Sequence, residues 1–411
     1  YSCPHHLSKC GLEYFLFLAL SSSNQSHIWN CWFFIQFVAA IGIIALFRCG
    51  ERKGEPPTYR ILNPGVDMTY QGLIHRYGHL LDLPAHTQNI SLLEGNTPLI
   101  PMPRLGKEFG CELFVKFEGL NPTGSFKDRG MTAAISEAVG RGAQTVICAS
   151  TGNTAASAAA YASRAWLRSI VLIPEGKVAA GKLAGAIAYG AEVIQIQGSF
   201  DDALSLVVEI TQKTQIALVN SINPYRVEGQ KTAAFEICDV LGSAPDWLCL
   251  PVGNAGNITS YWAGFKQYQK GLPQVLGVQA AGSAPLVLGH PVDNPETIAT
   301  AIRIGRPARG EQALEAAQQS NGRIIAVSDA EILSAQKILA SEGVWVEPAS
   351  AAGLAGLIAE SAVGNFDAHG KRIVVVCTGH GLKDPSVITE SFTSPKIIPA
   401  NYEALISLVA G

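Results

Sequence analysis

Basic runs are missing from this sequence. Its 411 residues carry 30 Lys and Arg against 33 Asp and Glu, a net charge of −3, with no Lys/Arg block able to neutralise a run of phosphates. That argues against a nucleic-acid partner. Charge is sparse overall, 15% of residues against 48% hydrophobic, which excludes an extended disordered chain and suits a compact enzyme long enough for two domains. Paired cysteines are missing too. Of nine cysteines, Cys111, Cys148, Cys238, Cys249 and Cys377 stand singly in apolar stretches without CxxC spacing. A disulfide framework is thereby excluded, and the five read as small core residues in a reducing cytosol. Methionine is scarce: there are three, the first being Met68.

Residues 1–67 differ in kind from the rest. Ile28 to Phe47 is a nearly unbroken apolar run followed by Arg48, Arg52 and Lys53, long enough to span a bilayer with a positive-inside flank. Asn30 and Gln36 interrupt it, and the helix-like pattern of Gln71 to Tyr77 begins only after Met68. The segment is therefore expected to be a non-native or membrane-like extension outside the folded enzyme. Cys3, His5, His6 and Cys10 fit no standard zinc spacing, so no metal site is expected.

From about residue 110, short β-branched runs alternate with Ala-rich stretches of helical length, as βα units of a parallel sheet do. The expected class is α/β. Strands are predicted at Leu113–Phe117, Thr145–Ala149, Ile170–Ile173, Val193–Ile196, Trp247–Val252, Val275–Gln279, Ile324–Val327 and Ile373–Cys377. Helices are predicted at Phe126–Val139, Thr154–Ser163, Phe200–Thr211, Val227–Leu241, Ile258–Tyr268, Ala330–Ser341 and Ala349–Glu360. Gly282 to Gly322 reads as the least regular stretch. No internal repeat is present.

Ligands of such sheets gather where strands end and helices begin, and the unusual residues fall there. Asn121-Pro-Thr-Gly-Ser-Phe-Lys127-Asp-Arg-Gly130 follows the first of these strands, and Ser150-Thr-Gly-Asn153-Thr154 the second. Pro251-Val-Gly253-Asn254-Ala255-Gly256-Asn257 closes the fifth, and Cys377-Thr378-Gly-His380-Gly381 the last. Four polar, glycine-bearing turns at four strand ends imply one shared pocket. Gly253 to Asn257 offers successive backbone N–H groups at a helix start, where an anion is favoured; the same glycines would equally serve a tight turn. Gly-x-Gly-x-x-Gly is absent from that loop, so a dinucleotide is not supported. Lys127 at a helix start opposes the helix dipole. A surface lysine is one reading; an amine desolvated in a pocket and nucleophilic towards a carbonyl explains the position better.

Taken together, these turns resemble the fold type II family of pyridoxal-phosphate enzymes, and within it the threonine synthase branch, from about residue 68 to the end. The resemblance implies two domains, each with a twisted, mostly parallel sheet covered by helices and the cofactor in the cleft between them. Residues 68–117 and 220–411 would form the large domain and 118–219 the small one. It implies that Lys127 carries pyridoxal 5'-phosphate and moves the protons, that Asn153 bonds the cofactor's phenolic oxygen, that Gly253, Asn254, Ala255, Gly256 and Asn257 hold its phosphate, and that Thr378 bonds the pyridine nitrogen. It further implies that Ser150 and Thr151 receive the substrate carboxylate, while Thr154, Asn220, Arg226 and Asn254 bind the phosphate of O-phospho-L-homoserine. The segment Val219-Asn-Ser-Ile-Asn-Pro-Tyr-Arg-Val-Glu-Gly-Gln-Lys231 is the most telling for that branch, although Arg226 alone could be a helix-surface arginine. A cytoplasmic homodimer is the family expectation.

Two alternatives stay open. A threonine or serine dehydratase of the same fold would share Lys127 and Asn153 but bind no substrate phosphate. A non-catalytic, membrane-attached relative would use the 28–47 segment. His380 either lines the pocket or caps its turn, and His75, His79 and His86 are expected to be surface or packing residues.

Overall fold

A computed structural model describes residues 46–48, 59–61, 70–176, 180–386, 388 and 395–409. The chain divides into two units, Tyr1–Thr69 and Tyr70–Gly411. Within the first, Leu46–Arg48 (β1) and Tyr59–Ile61 (β2) pair antiparallel. The expectations for Cys3 to Cys10, for most of Ile28 to Phe47 and for Met68 lie outside the described residues.

The second unit opens with Leu73–Tyr77 (α1), Leu99–Pro101 (β3), Pro103–Phe109 (α2), Glu112–Phe117 (β4), Lys127–Gly140 (α3), Thr145–Ala149 (β5) and Asn153–Arg164 (α4). It continues through Arg168–Pro174 (β6), Ala180–Ala188 (α5), Glu192–Ile196 (β7), Phe200–Lys213 (α6), Ala217–Leu218 (β8) and Pro224–Leu241 (α7). Then come Trp247–Pro251 (β9), Gly256–Tyr268 (α8), Gln274–Ala280 (β10), Pro285–Leu288 (α9), Gly310–Gln319 (α10) and Arg323–Val327 (β11). Asp329–Ser341 (α11), Pro348–Ala362 (α12), Arg372–Cys377 (β12) and Tyr402–Val409 (α13) complete the order.

Two sheets result. One has six strands in the order β11-β10-β9-β12-β4-β3, parallel except for the β3–β4 pair; the other has four parallel strands in the order β7-β6-β5-β8. The inner strand β12 carries the longest β-branched run of the large sheet. In β12, Ile373, Val374, Val375 and Val376 are all fully buried, each worth about 1.5–3 kcal/mol on removal from water. Both faces of such a strand must be covered, so its pattern is continuous instead of alternating. The edge strand β7 is half-exposed by contrast.

Helix ends follow local chemistry. Asn223 caps α7 by accepting from the Tyr225 N–H at 2.9 Å with Pro224 at the first helical position, and Gly242 ends the helix at φ 82°. Ser199 and Ser328 form capping boxes with Asp202 and Glu331, each leaving fewer orphan N–H groups. Because β9, β12 and β4 are adjacent and parallel, their C-terminal turns lie along one edge of the large sheet.

Candidate active site

Lys127 is the first residue of α3, and its neighbours in sequence hold it in place. The Phe126 N–H donates to the Thr378 carbonyl at 2.9 Å, and Ser125 pairs with Gly379 in an isolated antiparallel bridge. The lysine turn and the Thr378 turn are thus stitched together by backbone. Asp128 accepts from Thr123 N and Oγ1 at 2.7 and 2.6 Å and from Ser157 Oγ at 2.5 Å. Its burial pushes the carboxyl up to about 6, against those hydrogen bonds.

Arg129 is buried and reaches two carboxylates. It donates to Glu118 at 2.7 and 2.9 Å and to Glu236 at 2.8 and 2.7 Å, while Lys116 Nζ donates to Glu236 at 2.7 Å. Two cations and two anions make the cluster neutral. Burial disfavours charge on Glu236, but Arg129 and Lys116 hold its carboxyl well below the usual range. Such a cluster costs desolvation yet gives α3 one orientation.

The Lys127 side chain is half-buried with Nζ 4.1 Å from the Phe126 ring centre. Burial, with the Arg226 cation acting in the same direction and the Glu347 carboxylate opposing both, brings its pKa down to about 7. The amine is therefore largely neutral a little above pH 7 and able to act as a nucleophile or a base. A first-turn lysine on the open surface would not behave so.

Arg226 is 1% exposed, which overturns the surface reading. One of its terminal nitrogens donates to the Val219 carbonyl at 3.1 Å, and Nε has no partner. Among the described residues it forms no salt bridge, and burial lowers its pKa to about 10. A buried cation with spare donors calls for an anion. Asn220 is placed differently from a freely presented donor: its side chain accepts from the Ala149 N–H and donates to the Ala149 carbonyl, both at 2.9 Å. Asn220 thus clamps the end of β5, leaving one amide hydrogen uncommitted.

Ser150, Thr151 and Thr154 are half-buried around the start of α4. Asn153, the first residue of that helix, donates from Nδ2 to both oxygens of Glu347 at 3.1 Å. Glu347 was not foreseen, nor was Ser350, whose Oγ lies 2.8 Å from Thr378 Oγ1 and accepts from the Gly379 N–H at 2.8 Å. The available signal was Glu347-Pro348, a helix start at the head of an Ala-rich stretch.

The Gly253–Asn257 turn closes β9. Ala255 sits at φ 63°, a left-handed conformation costing a non-glycine residue about 1–2 kcal/mol, as strained ligand loops often do. A β-carbon on Gly253 would lie 3.0 Å from Ile302 Cα, so a side chain there would press on the Ile302 backbone. Asn254 Oδ1 accepts from the Ala308 N–H at 3.4 Å, and the buried Nδ2 of Asn257 has no partner. Gln230 lies between this turn and α3, beside Gly256 and Gly130. His380 turns out to be a cap: Nδ1 accepts from the Leu382 N–H at 3.2 Å, and its ring packs on Phe117 and Trp345.

A near-neutral lysine, a strained glycine turn at a helix start with an unpartnered amide, and a hydroxyl in place of a carboxylate at Thr378 together suit pyridoxal phosphate. Lys127 would hold its carbonyl carbon, the Gly253–Asn257 turn its phosphate, and Asn153 and Thr378 its ring.

Residues 90–379 match the family described as pyridoxal-phosphate dependent enzyme. The chain is 54% identical over 348 residues to a threonine synthase of Halalkalibacterium halodurans, covering 83% of this chain and 98% of that one. It is 58% identical over 330 residues to a threonine synthase of Synechocystis sp., covering 78% and 86%. Among solved structures, maize serine racemase superposes with a TM-score of 0.64 at 22% identity, over 74% of this chain and 93% of the other, which speaks for the fold alone. Fold, site chemistry and sequence agree: the chain belongs to the pyridoxal-phosphate-dependent enzymes and, within them, to the threonine synthase family.

Proposed function

We propose that this enzyme converts O-phospho-L-homoserine and water to L-threonine and phosphate. The observation that carries the reading is Arg226, a buried guanidinium with an unpartnered Nε and, among the described residues, no carboxylate partner. Its fixed fork suits a phosphate dianion, and its charge acts on Lys127. The bound cofactor supplies an electron sink for carbanion chemistry. Lys127 takes the proton from Cα and later carries protons to and from the carbon chain. Arg226, with Thr154, Asn254 and the remaining amide hydrogen of Asn220, holds the phosphate at Cγ and stabilises the charge gathering on it as it leaves. Ser150 and Thr151 orient the carboxylate. One C–O bond breaks at Cγ and one forms at Cβ from water.

We further propose a cleft between a large domain, 68–117 with 220–411, and a small one, 118–219. The six-stranded sheet draws its strands from the first ranges and the four-stranded sheet from the second, which supports that division. A cytosolic location fits the free cysteines, and a homodimer is the state proposed from the family resemblance.

Phosphate release from O-phospho-L-homoserine by the purified enzyme, with threonine formed in equal amount, is the direct assay. Arg226→Ala removes charge-assisted contacts worth roughly 1.5–3 kcal/mol, so turnover should fall by about one to two orders of magnitude. Efficient deamination of threonine, with the phosphorylated substrate ignored, would favour a dehydratase instead.

A further inference from the structure

One turn of helix touches both residues assigned to the cofactor's ring, and it contains neither of them. Glu347 is the N-cap of α12 and Ser350 its third residue. Glu347 is 4% exposed and receives Asn153 Nδ2 at 3.1 Å on each oxygen. Ser350 is 0% exposed and lies 2.8 Å from Thr378 Oγ1. The turn is itself anchored: the Glu347 N–H donates to the Gly379 carbonyl at 3.2 Å, and Val346 pairs with His380.

We propose that Glu347 and Ser350 are positioning residues that preset the two hydrogen bonds to the cofactor's ring. The proposal rests on Asn153 and Thr378 facing that ring. An ionised carboxylate only accepts, so Asn153 must turn its NH2 group towards Glu347. With one N–H shared between the two equidistant Glu347 oxygens, the second N–H is the atom left for the phenolic oxygen, and Oδ1 is turned aside. Without Glu347 the carboxamide is free to flip and present an acceptor to an oxygen that bears negative charge. At the other end, the Gly379 N–H donates to Ser350 Oγ at 2.8 Å. The Ser350 hydrogen is best spent on Thr378 Oγ1, since its alternative acceptor, the Gly379 carbonyl, is 3.3 Å away. The Thr378 hydrogen is thereby released to donate outwards to a ring nitrogen that carries no proton. Hydrogen bonds in such a chain strengthen one another.

Glu347 also lies in the field of Lys127, Lys383 and Asp384, and burial raises its carboxyl pKa. Any role through charge alone must be separated from positioning by the test. The measurement is the rate at which the full-length holoenzyme loses its cofactor after dilution, followed by its visible absorption band, in double-mutant cycles. Glu347→Ala should speed the loss about fivefold to tenfold, the effect of one lost hydrogen bond. That increment should vanish when Asn153 is already alanine. Ser350→Ala should act similarly, vanish in a Thr378→Val background, and be rescued by Ser350→Thr, which keeps the hydroxyl. The band position should move in the single variants and not further in the doubles. Glu347→Ala acting equally with and without Asn153, or Ser350→Ala with and without Thr378, would overturn the proposal by showing general damage or a charge effect. If Asn153→Ala and Thr378→Val themselves leave cofactor loss unchanged, the underlying assignment of those two residues fails, which is a distinct result.

Discussion

At the scale of the residue, the proposed chemistry rests on one amine whose basicity its surroundings set. Lys127 is brought to about pH 7 first by burial and then by Arg226, with Glu347 pulling the other way. An ordinary lysine titrates near 10.5. Attachment of pyridoxal phosphate to the cofactor-free enzyme requires the neutral amine, so its rate should climb with pH and level off a little above 7. A rate still climbing at pH 10 would contradict this. Arg226→Ala removes a neighbouring cation, which favours the protonated amine, so the midpoint should shift upwards. Borohydride reduction followed by peptide mapping should find the cofactor on Lys127; finding it on Lys116 or Lys231 would refute the assignment. Lys116 is buried and donates to Glu236 and the Thr97 carbonyl, and Lys231 is paired with Glu228.

At the scale of the element, the distance between Lys127 and Arg226 is set by how closely α3 and α7 approach. A β-carbon on Gly229 would lie 1.8 Å from the Arg129 carbonyl oxygen, and one on Gly130 would lie 2.8 Å from the Arg226 carbonyl oxygen. The two helices therefore touch backbone to backbone, next to the residues that each contributes to the site. Gly229→Ala must push them apart, and overpacking of this kind typically costs about 1–3 kcal/mol. We expect a lower urea midpoint together with a raised KM for O-phospho-L-homoserine, because Arg226 moves with α7. An unchanged KM would show that the helix contact does not set the phosphate site. Elsewhere, the predicted strands match the structure to within about two residues at each end, since buried parallel strands are continuous apolar runs. Strands β3 and β8 were missed because three and two residues are too short to carry a period. The stretch Gly282 to Gly322, read as the least regular, is mostly turns and loops but contains α9 and α10. Helix α10 buries only Ala313, Ala316 and Ala317, a weak apolar stripe in the sequence.

At the scale of the whole molecule, every residue assigned to the site lies in the unit from Tyr70 onwards. Among the described residues no helix is long and apolar enough to cross a membrane. Removing residues 1–67 should therefore leave an enzyme that folds, binds pyridoxal phosphate and releases phosphate from its substrate at an unchanged rate. Loss of cofactor binding or of folding in that shortened chain would show that the first segment belongs to the functional unit.

Some of this protein was legible before any coordinates. Turn residues carry local signatures, and glycine, asparagine and lysine at strand ends announce themselves because few other residues can occupy those backbone shapes or do that chemistry. The four turns were readable for that reason, and the α/β class because short β-branched runs alternate with Ala-rich stretches of helical length. Burial and pairing are long-range quantities, and a single window of sequence holds neither. Arg226 was readable as a phosphate ligand only through its resemblance to the family, a surface arginine being the alternative, and its burial appeared only when α7 was packed against α3. Asn220 looked like a free donor until it clamped Ala149. Glu347 and Ser350, 194 and 28 residues from the partners they hold, became visible only when the tertiary fold brought α12 beside the ends of β5 and β12.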